Sequence, residues 1–238
     1  MELSLERKAT LTSRSAPTLS ATRNLLALPP PGPTAAYAFD ETSGTTAKDS
    51  AGTHTGTVAN GTWVEGKYGK ALSFNGTSSC VSVPNSADLQ LSGSFTLSAW
   101  VKPSTLKQGA PIFFKEDEPG SFSSYSLYFG AFEEGYVSGY VAEPSGYAEV
   151  EAAEKLTAGT WAHESMTSDG TTLRLYQNGK QVDTASAKAV LESEGPLLIG
   201  CTKTFGGGEY FNGVIDNVRV YNKALSAPEI EAEKGTGI

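Results

Sequence analysis

The sequence predicts an all-β fold, a sandwich or barrel of about a dozen short strands followed by one short C-terminal helix. Three observations carry that reading. Only 18% of the 238 residues are charged, while 26 are glycine and 10 are tyrosine, a composition suited to short strands and tight turns. Apolar and polar residues alternate in short runs separated by turn residues. The segment "LRLYQNGKQVDT" carries Asn178-Gly179, the pair a two-residue hairpin turn prefers, between alternating side chains.

Residues 1–33 are rich in Ser, Thr, Arg and Leu and end in "PPPGP". Consecutive prolines resist both helix and sheet, so this stretch reads as a poorly ordered leader or linker. The domain is expected over 34–233, with 234–238 as a tail. "AAYAFDE" opens it as a strand, and "TSGTTAKDSAGTHTG" follows as a turn-rich loop. Strands continue through "TVANGTWVEG", "KALSFNGTSSCVSVP", "SFTLSAWVKP" and "APIFFKE", then a tyrosine-rich middle, "SYSLYFGAFEEGYVSGYVAEPSGYAEVEA". The last third adds "TWAHESMTSDGTTLRLYQNGKQVDTAS", "GPLLIGC" and "FNGVIDNVRVYNKALSAPEI". In the final stretch Ser226 precedes Pro228 and Glu229, a helix-start signal, with Leu225 and Ile230 placed to anchor the helix.

The bulk numbers exclude some functions. A net charge of −8 without a Lys/Arg cluster argues against nucleic acid as a partner. No run approaches the roughly 20 apolar residues of a membrane span. "NLLALPPP" is too short for the apolar core of a signal peptide, so no clear one is present. Cys80 and Cys201 both lie in apolar, strand-like contexts, and read either as buried thiols or as a single disulfide.

One residue breaks the pattern. Counted by twos, Asp216 shares a strand face with Val214, Val218 and Val220, while Arg219 falls on the other face. A bare carboxylate there would cost several kcal/mol, so it requires a cation, an arginine or a set of backbone N–H donors. Arg219 is a poor partner unless a bulge intervenes.

The motifs "YAFDETSGTTAKDSAGTHTGTV", "WVEGKYGKALSFNG", "VSVPNSADL", "FTLSAWVKP", "TWAHESMTSDGTTLRLYQNGKQV", "GPLLIG" and "FNGVIDNVRVYNKALSAPEI" occur in that order. Together they resemble the bacterial laminin-G-like jelly roll of the concanavalin A-like lectin/glucanase superfamily. The resemblance implies a jelly-roll sandwich of two antiparallel sheets with the first and last strands adjacent. It further implies calcium joining the chain's two ends, with Asp216 similar to the usual carboxylate ligand. Asp40, Glu41 and Asp49 would supply the other oxygens. Such domains mostly serve as accessory modules of larger secreted or surface proteins. The expectation is therefore an extracellular, monomeric module that binds a glycan or a cell-surface protein.

No catalytic residue is expected. The superfamily's glucanases resemble E-x-D-x-x-E or E-x-D-x-E on one strand, and nothing here matches. Glu149 and Glu151 share a strand face with no aspartate between them and read as solvated edge charges. His54 is placed in a loop and His163 in a half-buried strand, packed and hydrogen-bonded. Trp63, Trp100 and Trp161 read as core. A ligand rim is expected at Glu116, Asp117, Glu118, Tyr136, Tyr147 and Phe205. A spacer or protein-docking unit without glycan binding is the alternative, and a glycoside hydrolase a remote one.

Overall fold

The computed structural model describes residues 32–116, 124–130, 134–203 and 208–238. The leader reading falls almost wholly outside these residues, as do Asp117, Glu118 and Phe205. Eighteen strands appear among the described residues. The first nine are β1 (Ala35–Tyr37), β2 (Thr46–Ala47), β3 (Gly56–Ala59), β4 (Thr62–Glu65), β5 (Lys70–Asn75), β6 (Cys80–Val83), β7 (Ser94–Pro103), β8 (Ala110–Lys115) and β9 (Tyr125–Phe129). Next come β10 (Val137–Glu143), β11 (Gly146–Glu151), β12 (Ala162–Asp169), β13 (Thr172–Gln177), β14 (Lys180–Ser186) and β15 (Leu197–Ile199). The chain closes with β16 (Cys201–Thr202), β17 (Glu209–Tyr210), β18 (Asn212–Tyr221) and the helix α1 (Ala227–Lys234).

Sixteen of the strands form two antiparallel sheets, and β16 and β17 pair as a separate two-stranded ribbon. The first runs β14-β13-β12-β7-β18-β5-β4, with β1 also pairing β18; the second runs β11-β10-β9-β8-β15-β6-β3-β2. Ala35–Tyr37 pairs with Val218–Val220, so the first and last strands are neighbours. Between the sheets, Phe95, Leu97, Ala99 and Val101 of β7 meet Tyr125, Leu127 and Phe129 of β9 in one core. Asn178 and Gly179 both take positive φ, 54° and 82°, and close the β13–β14 hairpin as their residue types require. Helix α1 begins where expected: the Glu229 carboxylate accepts bonds from the Ser226 N–H and hydroxyl, and Leu225 and Ile230 pack with Tyr176 and Tyr221. Cys80 and Cys201 form a disulfide across a separation of 121 residues. No helix of the described residues is long and apolar enough to cross a membrane.

The face of Asp216 differs from simple alternation. The β18–β7 register shifts between Asp216 and Arg219, and Asn217 takes a φ of 48°. This bulge puts an extra residue in β18 and reverses its parity. Ile215, Val218 and Val220 therefore face the core together, and Asp216 and Arg219 both turn to the outer side of the first sheet. Asp216 is nonetheless fully buried, because the β4–β5 turn lies over it. Its Oδ2 accepts the backbone N–H groups of Lys67 (2.7 Å) and Tyr68 (3.0 Å), and its Oδ1 accepts the Asn217 side-chain amide at 2.7 Å. Burial pushes the Asp216 carboxyl up, and these bonds oppose that shift. Asp40, from the chain's opening segment, takes the Lys70 N–H of the same turn at 2.6 Å. A Cβ on Gly66 would sit 2.7 Å from Asp216 Oδ2, so the turn lies this close only because residue 66 lacks a side chain.

Arg219 has its own partner. It is paired with Glu233 of α1 at 2.7 Å and donates to the Thr236 carbonyl at 2.6 Å, while Ser98 also donates to Glu233. The Ile238 N–H reaches Asn217 Oδ1 at 2.7 Å, so the last residues are fastened to the bulge. His163 is fully buried beside this network, edge-on to Trp100 at 5.3 Å, with Nε2 3.8 Å from Glu233, beyond hydrogen-bond reach. Trp100 thus lies on the outer side of the first sheet, under Lys67 and Tyr68, and not in the core. Trp63 packs half-buried against the core, and Trp161 is half-buried. Alternation finds a residue's face but not which outer faces a turn will cover.

A second fastening holds the opening loop. Asp49 accepts the N–H groups of Ala36, Ala51 and His54, and the His54 ring bridges Asp49 (3.0 Å) and Asp88 (2.9 Å). A neutral imidazole has one N–H and cannot donate to both carboxylates, so this arrangement suits the imidazolium. Burial disfavours that charge, but the bonds to Asp88 and Asp49 outweigh it and raise the pKa of His54 above the usual value. Asp49 and Asp88 are both lowered.

Two expectations follow. Asp216→Ala leaves two backbone N–H groups and an amide without their acceptor, and should destabilise the fold by about 3 kcal/mol, a drop of roughly 6–12 °C in Tm; calorimetry reading under 1 °C would contradict the clamp. For His54 the raised pKa means its contribution is complete below the unfolded value of about 6.5 and is lost as pH rises through the folded one. The two lowered aspartates lose theirs only as pH falls below about 4. Melting scans should therefore show a decline as pH rises above about 6.5 that His54→Gln flattens.

Candidate functional site

The four acids expected at a metal do not converge. Asp49 belongs to the His54 clamp, and Glu41 accepts the Lys48 N–H at 2.7 Å. Only Asp40 and Asp216 border the same turn, each engaged by N–H donors. Among the described residues no group of three or more His, Cys, Asp or Glu side chains is arranged so that it could hold a metal ion. Of the three ways to answer the Asp216 charge, the structure displays the set of N–H donors.

The more developed site lies on the outer face of the second sheet. Alternation sends Tyr125, Leu127 and Phe129 inward and leaves Ser126 and Tyr128 outward on β9. On β10, Val137 and Val141 point inward and Ser138 and Tyr140 outward; on β11, Ala148 and Val150 point inward and Tyr147, Glu149 and Glu151 outward. The register of β8 to β11 then sets aromatic rings side by side across four strands. Phe114 and Tyr128 are 5.8 Å apart, Tyr128 and Tyr140 6.1 Å, and Tyr140 and Tyr147 5.8 Å, centroid to centroid. The first two contacts are edge-on, at 87° and 89°, the geometry the ring quadrupole favours. Accessibility rises along the row: Phe114 is fully buried, Tyr140 half-buried, and Tyr147 is 54% exposed.

The row has an apolar root and polar margins. Phe114 and Tyr128 pack with Leu198 and the Cys80–Cys201 bridge, and Tyr210 lies against the same cluster. At the open end, Tyr140 donates its hydroxyl to Glu149 at 2.5 Å and Ser138 donates to Glu151 at 2.9 Å. Leu191, 44% exposed, donates its N–H to the Ala142 carbonyl, directly opposite Tyr147 in the register. Burial pushes the Glu149 carboxyl up; the Tyr140 bond lowers it, and the charges of Glu151 and Asp183 raise it further. Burial also raises the phenol of Tyr140, with the carboxylate of Glu149 adding to the shift. Glu209 is raised by burial, with Lys107 opposing. This surface can stack an apolar ring face and accept hydrogen bonds from hydroxyl or amine groups.

Of the expected ligand rim, Tyr147 alone among the described residues joins this row. Tyr136 lies just before β10 with Lys155 4.9 Å over its ring, and Glu116, at the end of β8, accepts the Lys203 N–H at 3.2 Å. Sequence reasoning read Glu149 and Glu151 as solvated edge charges, and the structure brings each to a hydroxyl of the neighbouring strand. Their i, i+2 spacing on one strand was the available signal.

Comparison with solved structures shows the same fold. Domain 4 of AbnA, a GH43 extracellular arabinanase from Geobacillus stearothermophilus solved with arabinotriose, aligns with a TM-score of 0.71 at 23% identity, covering 85% of this chain and 98% of that one. The binding domain of Paraclostridial Mosquitocidal Protein 1 aligns at 0.66 and 16% identity, over 85% of this chain and 52% of that one. The Trypanosoma rangeli sialidase in complex with 2,3-difluorosialic acid aligns at 0.65 and 18%, over 85% and 33%. The chain thus spans nearly all of the arabinanase domain, about half of the toxin domain and a third of the sialidase. A search of curated proteins finds no match. The laminin-G model of the concanavalin A-like lectin/glucanase superfamily matches residues 75–231, more than half of the chain, and the chain belongs to that superfamily.

Proposed function

We propose that this domain is a non-catalytic carbohydrate-binding module of an extracellular or cell-surface protein, and that it binds through the outer face of the second sheet. The observation that carries the reading is the aromatic row ending at exposed Tyr147, beside carboxylates that accept hydroxyl donors. Sugars present apolar ring faces and hydroxyl edges, and such a surface answers both. A solved relative of the same fold carries arabinotriose, which makes arabino-oligosaccharides the first probe. Glu149 and Glu151 are each tied to a neighbouring hydroxyl, an arrangement that favours recognition over hydrolysis.

The protein-docking reading has its own support in the exposed pair Tyr147 and Leu191. A glycan array separates the two: saturable binding supports the module, and silence across neutral and charged glycans favours docking. For any glycan bound, Tyr147→Ala should weaken affinity about tenfold, the ~1.4 kcal/mol that one aromatic contact is worth, with Tm unchanged within 1–2 °C. Unaltered affinity would move the site elsewhere.

Calcium is a separate proposal, supported by the way Asp40 and Asp216 border one turn. A Tm several degrees higher with calcium than with chelator supports it. A curve indifferent to both removes it.

A further inference from the structure

The open end of the aromatic row is acidic and unneutralised. Glu149 and Glu151 are two residues apart on the outer face of β11, and Asp183 of β14 accepts the Glu151 N–H at 2.9 Å. Among the described residues none of the three pairs with a lysine or arginine within salt-bridge distance. Two lysines act elsewhere: Lys155 lies over Tyr136, and the charge of Lys107 acts on Glu209. The charges of Glu151 and Asp183 both act on Glu149, as expected of like charges that share a margin without a counter-ion.

Two further observations point to a ligand here. Tyr147 offers an exposed ring next to the acids, joined to Tyr140 at 5.8 Å, and the ring face of a tyrosine attracts a cation. Ser126, which lies opposite both Tyr140 and Phe114 in the register, is fully buried on the same outward side, and its hydroxyl has no partner. A polar group left unpaired within the row is costly unless something bonds to it.

We propose that the preferred ligands are glycans bearing free amino groups, with the ammonium held between Tyr147 and the Glu149–Glu151 pair. This rests on the carbohydrate-binding reading and deepens it. Ionised carboxylates only accept hydrogen bonds, so a donor-rich cation suits them. A uronate or sialate would bring a like charge onto an unneutralised acidic margin, where repulsion opposes binding. The acids thus set the sign of charge tolerated, and the aromatic row supplies the contact common to all sugars.

The experiment is calorimetric titration with three oligosaccharides of equal length: glucosamine, N-acetylglucosamine and galacturonate. The proposal expects at least tenfold tighter binding of the amine form over the N-acetyl form, and no measurable binding of the galacturonate. In 1 M salt, where screening shortens the reach of charge to about 3 Å, the preference should shrink severalfold. In Glu149→Gln/Glu151→Gln it should fall to near unity. Equal binding of amine and N-acetyl forms, or preference for galacturonate, overturns the proposal while leaving a carbohydrate-binding module standing. A preference that survives both high salt and the double variant also overturns it. If none of the three sugars binds and arabino-oligosaccharides are silent as well, the module reading fails and the proposal with it.

Discussion

The structure depends on how one buried carboxylate is satisfied. Asp216 lies in the last strand, where the chain must pair with β7, β5 and β1 at once. A bulge at Asn217 turns the acid away from the core, and the Lys67–Tyr68 backbone closes over it. Each of these partners is uncharged, so oriented N–H dipoles answer the charge. The same bulge brings Arg219 outward to Glu233 and gives the C-terminal residue a place to bond at Asn217. A single extra residue in β18 thus fixes the turn before β5, the docking of α1 and the path of the chain end.

That anchoring side is spatially separate from the proposed ligand face. The Asp216 clamp fastens the last strand to the β4–β5 turn on the first sheet, and the Asp49–His54–Asp88 clamp ties the β2–β3 loop to β1 and to the segment after β6, at the edge of the second sheet opposite β11. The second sheet is then free to display side chains on its outer face. There the disulfide and Leu198 support Phe114 and Tyr128 from behind, and exposure increases strand by strand toward β11. Rigid support at one end and an open ring at the other is the arrangement a binding surface needs, since a preordered contact spends little entropy on capture.

Much of this was legible in the sequence because it was local. The Asn178-Gly179 turn and the Ser226 helix start follow from residue type alone, and alternation puts Tyr125, Leu127 and Phe129 on one face, though the structure is what makes that face the inner one. The parity of Asp216 was not, because one left-handed residue reverses a strand face and Asn217 gives only a weak hint of it. Trp100 was misplaced for a related reason: its outward face was legible, but the turn that buries it arrives from a distant part of the chain. The aromatic row shows the same limit. Phe114, Tyr128, Tyr140 and Tyr147 sit on four strands, and only their register makes them neighbours.

Amide hydrogen exchange at Lys67 and Tyr68 tests the central claim most directly. Both amides lie in a surface turn, which on its own would exchange within moments of exposure to deuterium. Held by a buried Asp216, they should open only with the sandwich itself and show protection close to that of core amides such as Leu97. Exchange at the rate of an ordinary exposed turn would mean that the carboxylate does not grip this backbone, and the account of how the chain ends are held together would fail.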